Sequence, residues 1–249
     1  MDRKFEPVMS GGARQQPVPV RDMEAFGRGD GAVVVDQQRV LRNTYWLLGL
    51  SLLPTVAGAF AGMSFNFIGL FRAAPIMTPI VMFAVMLGSL FVVTRLRDSA
   101  WGVAALFAFT FIAGLMLTPI LTVAAGFRNG GQLVALAGGL TAVVFFALAT
   151  YATVTKRDFG FLGRFLFIGL ILLIVASLAN LFFAVPAVSL TISAVGVLIF
   201  SMFILYDVSR IVNGGETNYV MATLSLFLDI YNLFISLLQI LLAFTGQRD

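Results

Sequence analysis

The 249-residue chain contains no histidine and no cysteine. Without cysteine there is no disulfide, no thiolate nucleophile and no sulfur ligand for zinc. Without histidine, the side chain that ordinarily changes charge near neutral pH and the usual nitrogen ligand of metals and haem are missing too. Charge is also scarce, with Asp, Glu, Lys and Arg making up 11% of the residues, against roughly 25% in soluble domains. Hydrophobic residues reach 59% and the mean hydropathy is +0.97. These proportions predict an all-α polytopic membrane protein whose chemistry rests on carboxylates, hydroxyls, amides and arginines, with no cofactor expected.

Residues 1–42 read differently from the rest. They hold seven basic residues (Arg3, Lys4, Arg14, Arg21, Arg28, Arg39, Arg42) against six acids, and no apolar run. This composition predicts a disordered cytoplasmic tail. The opening MDRKFEPVMSGGARQQPVPV lacks the apolar stretch of a secretory signal, so the first membrane helix is expected to direct insertion.

From residue 43 to 249 the sequence predicts a seven-helix transmembrane domain. Spans fall at about 44–62, 75–94, 101–121, 133–155, 162–183, 188–210 and 219–244, each near the ~20 residues that cross a bilayer core. The 42 residues from 165 to 206 carry no charge. That is twice one span, and Pro186 breaks the run at its middle. With the N-terminus inside, 13 Lys/Arg fall on the cytoplasmic side, including Arg95, Arg97, Lys156, Arg157, Arg164 and Arg210. Three fall opposite, Arg72, Arg128 and Arg248. The bias predicts N-in, C-out, and it accounts for the net charge of +4 without a nucleic-acid partner.

Two acids lie where acids are costly. Asp207 and Asp229 sit in strongly apolar runs on the last two predicted spans, and a carboxylate at mid-bilayer costs roughly 3 kcal/mol on insertion scales. At about 100° per residue, Ser225, Asp229, Asn232, Ser236 and Gln239 share one stripe of the last span, a surface lipid cannot face. Ser189, Ser193, Gly196 and Phe200 similarly fall on the face of Asp207. If the spans adjoin, the acids differ in depth by roughly 6–9 Å at 1.5 Å per residue, a gap that tilt closes.

Two carboxylates within hydrogen-bonding distance cannot both be charged, so a shared proton would clamp the two helices. Losing it would leave two like charges in low dielectric, favouring separation, water entry and a path for a cation. The competing reading makes the acids structural partners for Asn232, Ser225 or an arginine, with Arg210, three residues past Asp207, as the obvious one. Two other features are weaker. Gly58 to Gly62 (GAFAG) has the spacing of a helix-dimer motif, although glycine is common in membrane helices. Phe107, Phe109, Phe111, Phe145 and Phe146 read as packing or lipid-facing bulk.

The segments VLRNTYWLLGLSL (40–52), VPAVSLTISA (185–194), NGGETNY (213–219) and SLFLDIYNLFISLL (225–238) resemble the Bax inhibitor-1 family, in particular its proteobacterial branch. The resemblance runs from about Val40 to the C-terminus. It implies seven helices with the last one central, encircled by the others. It also implies a pH-sensitive calcium leak in which Asp207 and Asp229 form the latch, with calcium and membrane lipids as partners and the bacterial inner membrane as location. In one respect the chain departs from the pattern: the leak members carry an arginine on the second helix, and residues 75–94 contain no basic residue. Arg210 or another group would have to replace it. The same branch includes a modulator of the FtsH membrane protease, so an FtsH-type protease is the alternative partner and protease regulation the alternative function.

Intramembrane aspartyl proteases also place two acids on successive helices, and Tyr206-Asp207 matches the first of their motifs. The second, Gly-x-Gly-Asp, is replaced by Leu226, Phe227, Leu228 and Asp229. Bulky side chains stand where glycines would open the backbone to a substrate strand, so an enzyme is not expected.

Overall fold

A computed structural model describes residues 20–246, with side chains from residue 37 onward. The described residues form nine helices: α1 (Val20–Ser64), α2 (Ile68–Ala73), α3 (Met77–Leu96), α4 (Trp101–Met116), α5 (Thr118–Ala125), α6 (Gly130–Thr155), α7 (Leu162–Phe183), α8 (Pro186–Val212) and α9 (Tyr219–Gly246). Taking α4 and α5 as one, seven helical segments are long and apolar enough to cross a membrane. They are Gln37–Ser64, Met77–Leu96, Trp101–Ala125, Gly130–Thr155, Leu162–Phe183, Pro186–Val212 and Tyr219–Gly246. Each matches a span expected from the charge-free runs. The chain divides between residues 36 and 37 into two units, and the second, from Gln37, is the helical bundle.

Three differences from the sequence reading have physical causes. The first concerns the expected tail. Residues 1–19 lie outside the described residues, but α1 already includes 20–42. A helix nucleated in the membrane propagates outward at little cost, since each added residue gains a bond without a new nucleus. The second is the short helix α2, entered where Asn66 adopts a left-handed conformation (φ 54°) and its carbonyl accepts a bond from the Gly69 amide. The third is a break in the third span at Leu117. Pro119 has no N–H for the Leu115 carbonyl, and the Thr118 hydroxyl fills that place at 2.6 Å. Leu117 N–H shifts to the Gly114 carbonyl, and the Ala113 carbonyl so released accepts the Tyr231 hydroxyl of α9 at 2.9 Å.

The charge-free run divides as expected at Pro186, the first residue of α8. The Asn180 side chain holds this turn: its carbonyl accepts the Val185 amide at 3.0 Å and its amide donates to the Ser189 hydroxyl at 2.7 Å. Between α8 and α9, Gly214 takes φ 77° and Gly215 N–H returns to the Arg210 carbonyl at 2.7 Å. The Asn218 side chain then caps α9 by accepting the amides of Val220 and Met221.

The last helix is the centre of the bundle and the most buried of the spans. It packs on α8, its principal neighbour, and on α6, α4 and α5. It reaches α1 where the Thr223 hydroxyl lies 3.4 Å from the Thr44 carbonyl. Helices α3 and α7 pack chiefly on α4 and α8, and mostly face outward. Of the aromatic residues read as bulk, Phe109 is fully buried edge-on against Phe227 of α9, at 6.0 Å between centroids, and Phe145 is buried too. Phe146 is exposed.

The GAFAG segment is used inside the fold. A side chain at Gly58 would strike the Phe111 carbonyl, one at Gly62 the Thr118 hydroxyl, and one at Gly114 the Thr55 carbonyl, so these glycines let α1 and the α4–α5 pair touch backbone to backbone. Gly88 on α3 faces open space. Gly114→Ala is therefore expected to destabilise by about 1–3 kcal/mol through overpacking, while Gly88→Ala leaves stability unchanged or higher. Thermal unfolding of the two variants in detergent, followed by helical circular dichroism, checks this, and equal melting temperatures would refute it.

Candidate functional site

Asp207 on α8 and Asp229 on α9 are brought together at the most extensive helix contact of the bundle. Both are buried, at 8% and 5% exposure, and the two carboxyl groups are neighbours across this contact. Ionised carboxylates only accept hydrogen bonds, so a bond between two carboxyl groups requires a proton on one of them. Asp229 Oδ2 is buried and has no hydrogen-bond partner among the described residues, and the Asp207 carboxyl is the titratable group beside it.

Toward the end of α8 the site continues as a chain of charges. The Arg210 guanidinium lies 3.6 Å from Asp207 Oδ1 and 3.6 Å from Glu216 Oε2 on the α8–α9 turn, and it stacks over the Tyr206 ring at 5.6 Å. At 3.6 Å these are ion pairs without a good hydrogen bond, and Arg210 is partly exposed, so each contributes little to stability. Their consequence is positional. An acid shielded from solvent is linked through one cation to a carboxylate at the helix end, and Arg210 supplies beside Asp207 the cation that residues 75–94 lack.

The remaining stripe residues behave differently from one another. Ser236 is buried against Gly196 of α8, where any side chain would strike its hydroxyl. Gln239 accepts a hydrogen bond from the Ser193 hydroxyl of α8 at 2.5 Å. Asn232 donates to the Leu228 carbonyl of its own helix at 2.8 Å, and Ser225 is half-buried. Among the described residues neither Asn232 nor Ser225 hydrogen-bonds to the acids, so the cross-helix polar contacts are Asp207–Asp229 and Ser193–Gln239. Through Leu226 to Asp229 the last helix is unbroken, with Leu226 and Phe227 fully buried. It presents no opened backbone of the kind an aspartyl protease uses.

Sequence reasoning missed the clamp that holds the end of α8. Ser209 donates to the Arg157 carbonyl at 2.8 Å and accepts the Phe159 amide at 3.1 Å, while Asn213 donates to the same carbonyl. On the adjoining turn, Asn218 donates to Asp98 Oδ1 at 2.8 Å and to the Arg97 carbonyl. A cluster of Ser, Asn and Asp in loops was visible, but nothing in it announces which loops meet.

A family model described as Inhibitor of apoptosis-promoting Bax1 matches residues 37–246, the whole of the helical bundle. The chain belongs to the Bax inhibitor-1 family. Its relatives in the family include the Modulator of FtsH protease YccA of Escherichia coli, 39% identical over 214 residues, which covers 85% of this chain and 93% of YccA. An uncharacterised protein of Pseudomonas aeruginosa is 44% identical over 201 residues, covering 81% of this chain and 87% of that protein. An uncharacterised membrane protein of Vibrio cholerae is 42% identical over 207 residues, covering 83% and 90%. Membership fits the central last helix and the order of the motifs along this polytopic membrane protein.

A proton shared by the two carboxyls would make stability depend on pH with a definite sign. While one proton is shared, α8 and α9 are joined. As pH rises and that proton leaves, two like charges remain in a shielded site, a repulsion of up to about 4 kcal/mol at ~4 Å and an effective dielectric near 20. The folded state then binds more protons than the unfolded one, so stability falls as pH rises. Asp229→Asn retains a hydrogen-bond donor toward Asp207 and abolishes the second charge, so its melting temperature is expected to lose most of that pH dependence. Melting curves of parent and variant across a pH series in detergent measure it, and parallel slopes would show that the pair does not share a proton.

Proposed function

We propose that this protein regulates an FtsH-type membrane protease and resides in the bacterial inner membrane, with its N-terminus in the cytoplasm and its C-terminus on the opposite face. The observation that carries this reading is the 39% identity, over 93% of its length, to YccA, a protein named as a modulator of FtsH protease. A relative named Inner membrane protein YccA supports the location, and the excess of Lys/Arg on one side of the bundle supports the orientation. On this reading the polar N-terminal segment is the handle the protease engages, since a segment threaded into a protease must be long and able to unfold. The protein acts as a binding partner and catalyses nothing itself.

Deleting residues 1–35 ends the chain just short of the Gln37–Ser64 span and leaves the bundle intact. In cells carrying FtsH, the truncation is expected to change either the half-life of this protein or that of an FtsH substrate by several-fold. Pulse-chase measurement of both decides, and identical half-lives for the full-length and truncated forms would reject the protease reading.

The geometry of the acids favours a second reading, a passive calcium or cation leak regulated by protons. Asp207 and Asp229 act as the latch, and Arg210 and Glu216 lead from the helix end to it. Loss of the shared proton separates α8 from α9, and the polar stripe of Ser225, Asn232, Ser236 and Gln239 then lines the path. In liposomes, calcium flux is expected to rise with pH and to lose that response in Asp207→Asn and Asp229→Asn, with residues 1–35 dispensable. Flux equal to that of empty vesicles at every pH would remove the leak and leave the protease reading standing.

A further inference from the structure

Between α1 and α6 runs a groove of about 800 Å³, floored by Phe227, Ile230 and Phe234 of α9. Its walls are almost wholly apolar. A second chamber of about 460 Å³ shares Tyr45 and Gly49 with it and adds Arg42 and Trp46. Neither chamber is lined by Asp207 or Asp229.

Three observations bear on what occupies it. The glycines here differ in kind from Gly58 and Gly114: a side chain at Gly49 or Gly138 would meet nothing within 4 Å. These two keep space open, where the other two bring backbones together. The groove also opens sideways from a bundle whose solvent is hydrocarbon. Water in an apolar trench finds no hydrogen-bond partners, so acyl chain is the material that fills it. Charge then selects among acyl-bearing molecules. Arg42 and the exposed Trp46 line the second chamber, which adjoins the trench at Tyr45 and Gly49, and Lys156 lies two residues past Val154, the last lining residue of α6. Basic groups and an amphipathic ring at the end of an apolar channel complement a phosphate joined to an acyl chain.

We propose that the α1–α6 groove is a binding site for an anionic phospholipid, with one acyl chain in the trench and the phosphate held by Arg42 and Lys156. A hydrophobic helix of a partner protein is the competing occupant. It would use the apolar walls and leave the basic end without a complement.

The two tryptophans of the chain, Trp46 and Trp101, make a direct test possible. In Trp101→Phe the single remaining tryptophan lines the second chamber, and lipids brominated on the acyl chain quench it on contact. The full chain is reconstituted in unlabelled phosphatidylcholine with a minor fraction of brominated phosphatidylglycerol or brominated phosphatidylcholine. The anionic lipid is expected to half-quench Trp46 at about fivefold lower mole fraction, the factor that roughly one basic residue contributes at an anionic surface. Gly138→Leu fills the trench and Arg42→Gln removes a charge, and each is expected to bring the ratio close to one. Ala142→Leu, on the same wall, replaces Gly138→Leu if that variant does not fold. Equal quenching by the two lipids in the parent overturns the proposal, as does a preference that survives both the trench and the arginine substitutions. Trp46 shielded from both lipids by a copurified polypeptide assigns the groove to a partner helix and overturns it equally.

Discussion

Hydrocarbon offers no hydrogen bonds, and the break in the third span is resolved against that constraint. An unsatisfied backbone group in lipid costs several kcal/mol, so a helix can bend there only if something nearby takes up the bond it gives away. Beside Pro54 inside α1, Ser51 and Thr55 satisfy their own hydroxyls by turning them back onto the Leu47 and Ser51 carbonyls. Pro119 breaks the third span, and Thr118 and Tyr231 take the two carbonyls that the break releases. The Tyr231 bond does more than satisfy a carbonyl. It ties the central helix to the point where α4 becomes α5, so the position of α9 and the shape of that break are set together.

The same constraint explains why the acids lie on α8 and α9. A single buried carboxylate would need a cation or several donors, and among the described residues Asp229 has neither. On the latch reading, pairing it with Asp207 lets one proton serve both, with Arg210 3.6 Å from Asp207 Oδ1 as the nearby cation. Such an arrangement would hold while the proton is present and become repulsive when it leaves, because a low dielectric strengthens both the hydrogen bond and the repulsion. Ser193 and Gln239, farther along the same interface, carry no charge and keep their bond at any pH. On the latch reading one end of the α8–α9 contact depends on a proton and the other does not.

Much of this was legible in the sequence. Charge-free runs gave all seven spans because hydropathy reports transfer to lipid directly, residue by residue. The polar stripe on the last span was likewise visible from helical spacing, and Arg210 as a partner for Asp207 followed from their three-residue separation. What escaped was contact between distant segments. The stripe treated Asn232 and Gln239 alike, yet Gln239 crosses to Ser193 while Asn232 bonds within its own helix; the difference lies in the stagger of α8 against α9, which no single-helix projection contains. GAFAG could have met a second copy or another helix of the same chain with equal spacing, and the choice depended on Gly114 and on the break at Leu117. The clamp of Ser209 on Arg157 joins residues 52 apart through a carbonyl, and every residue has a carbonyl.

The central helix presents two faces with opposite demands. Ser225, Asp229, Asn232 and Ser236 cluster on one side, while Phe227, Ile230, Tyr231 and Phe234 centre about 180° around the helix. The first face meets α8 and the second floors the groove between α1 and α6. Close-packed interiors transmit displacement because they have no room to absorb it, so a helix pushed from one side moves toward free volume. For α9 the push would come from like charges at Asp207 and Asp229, and the free volume is the groove of about 800 Å³ on the opposite face. On the leak reading the groove's occupant would then bear on the acid pair without touching it: a chain packed against Phe227 and Phe234 would hold α9 on α8, and an empty or compressible groove would let the two part.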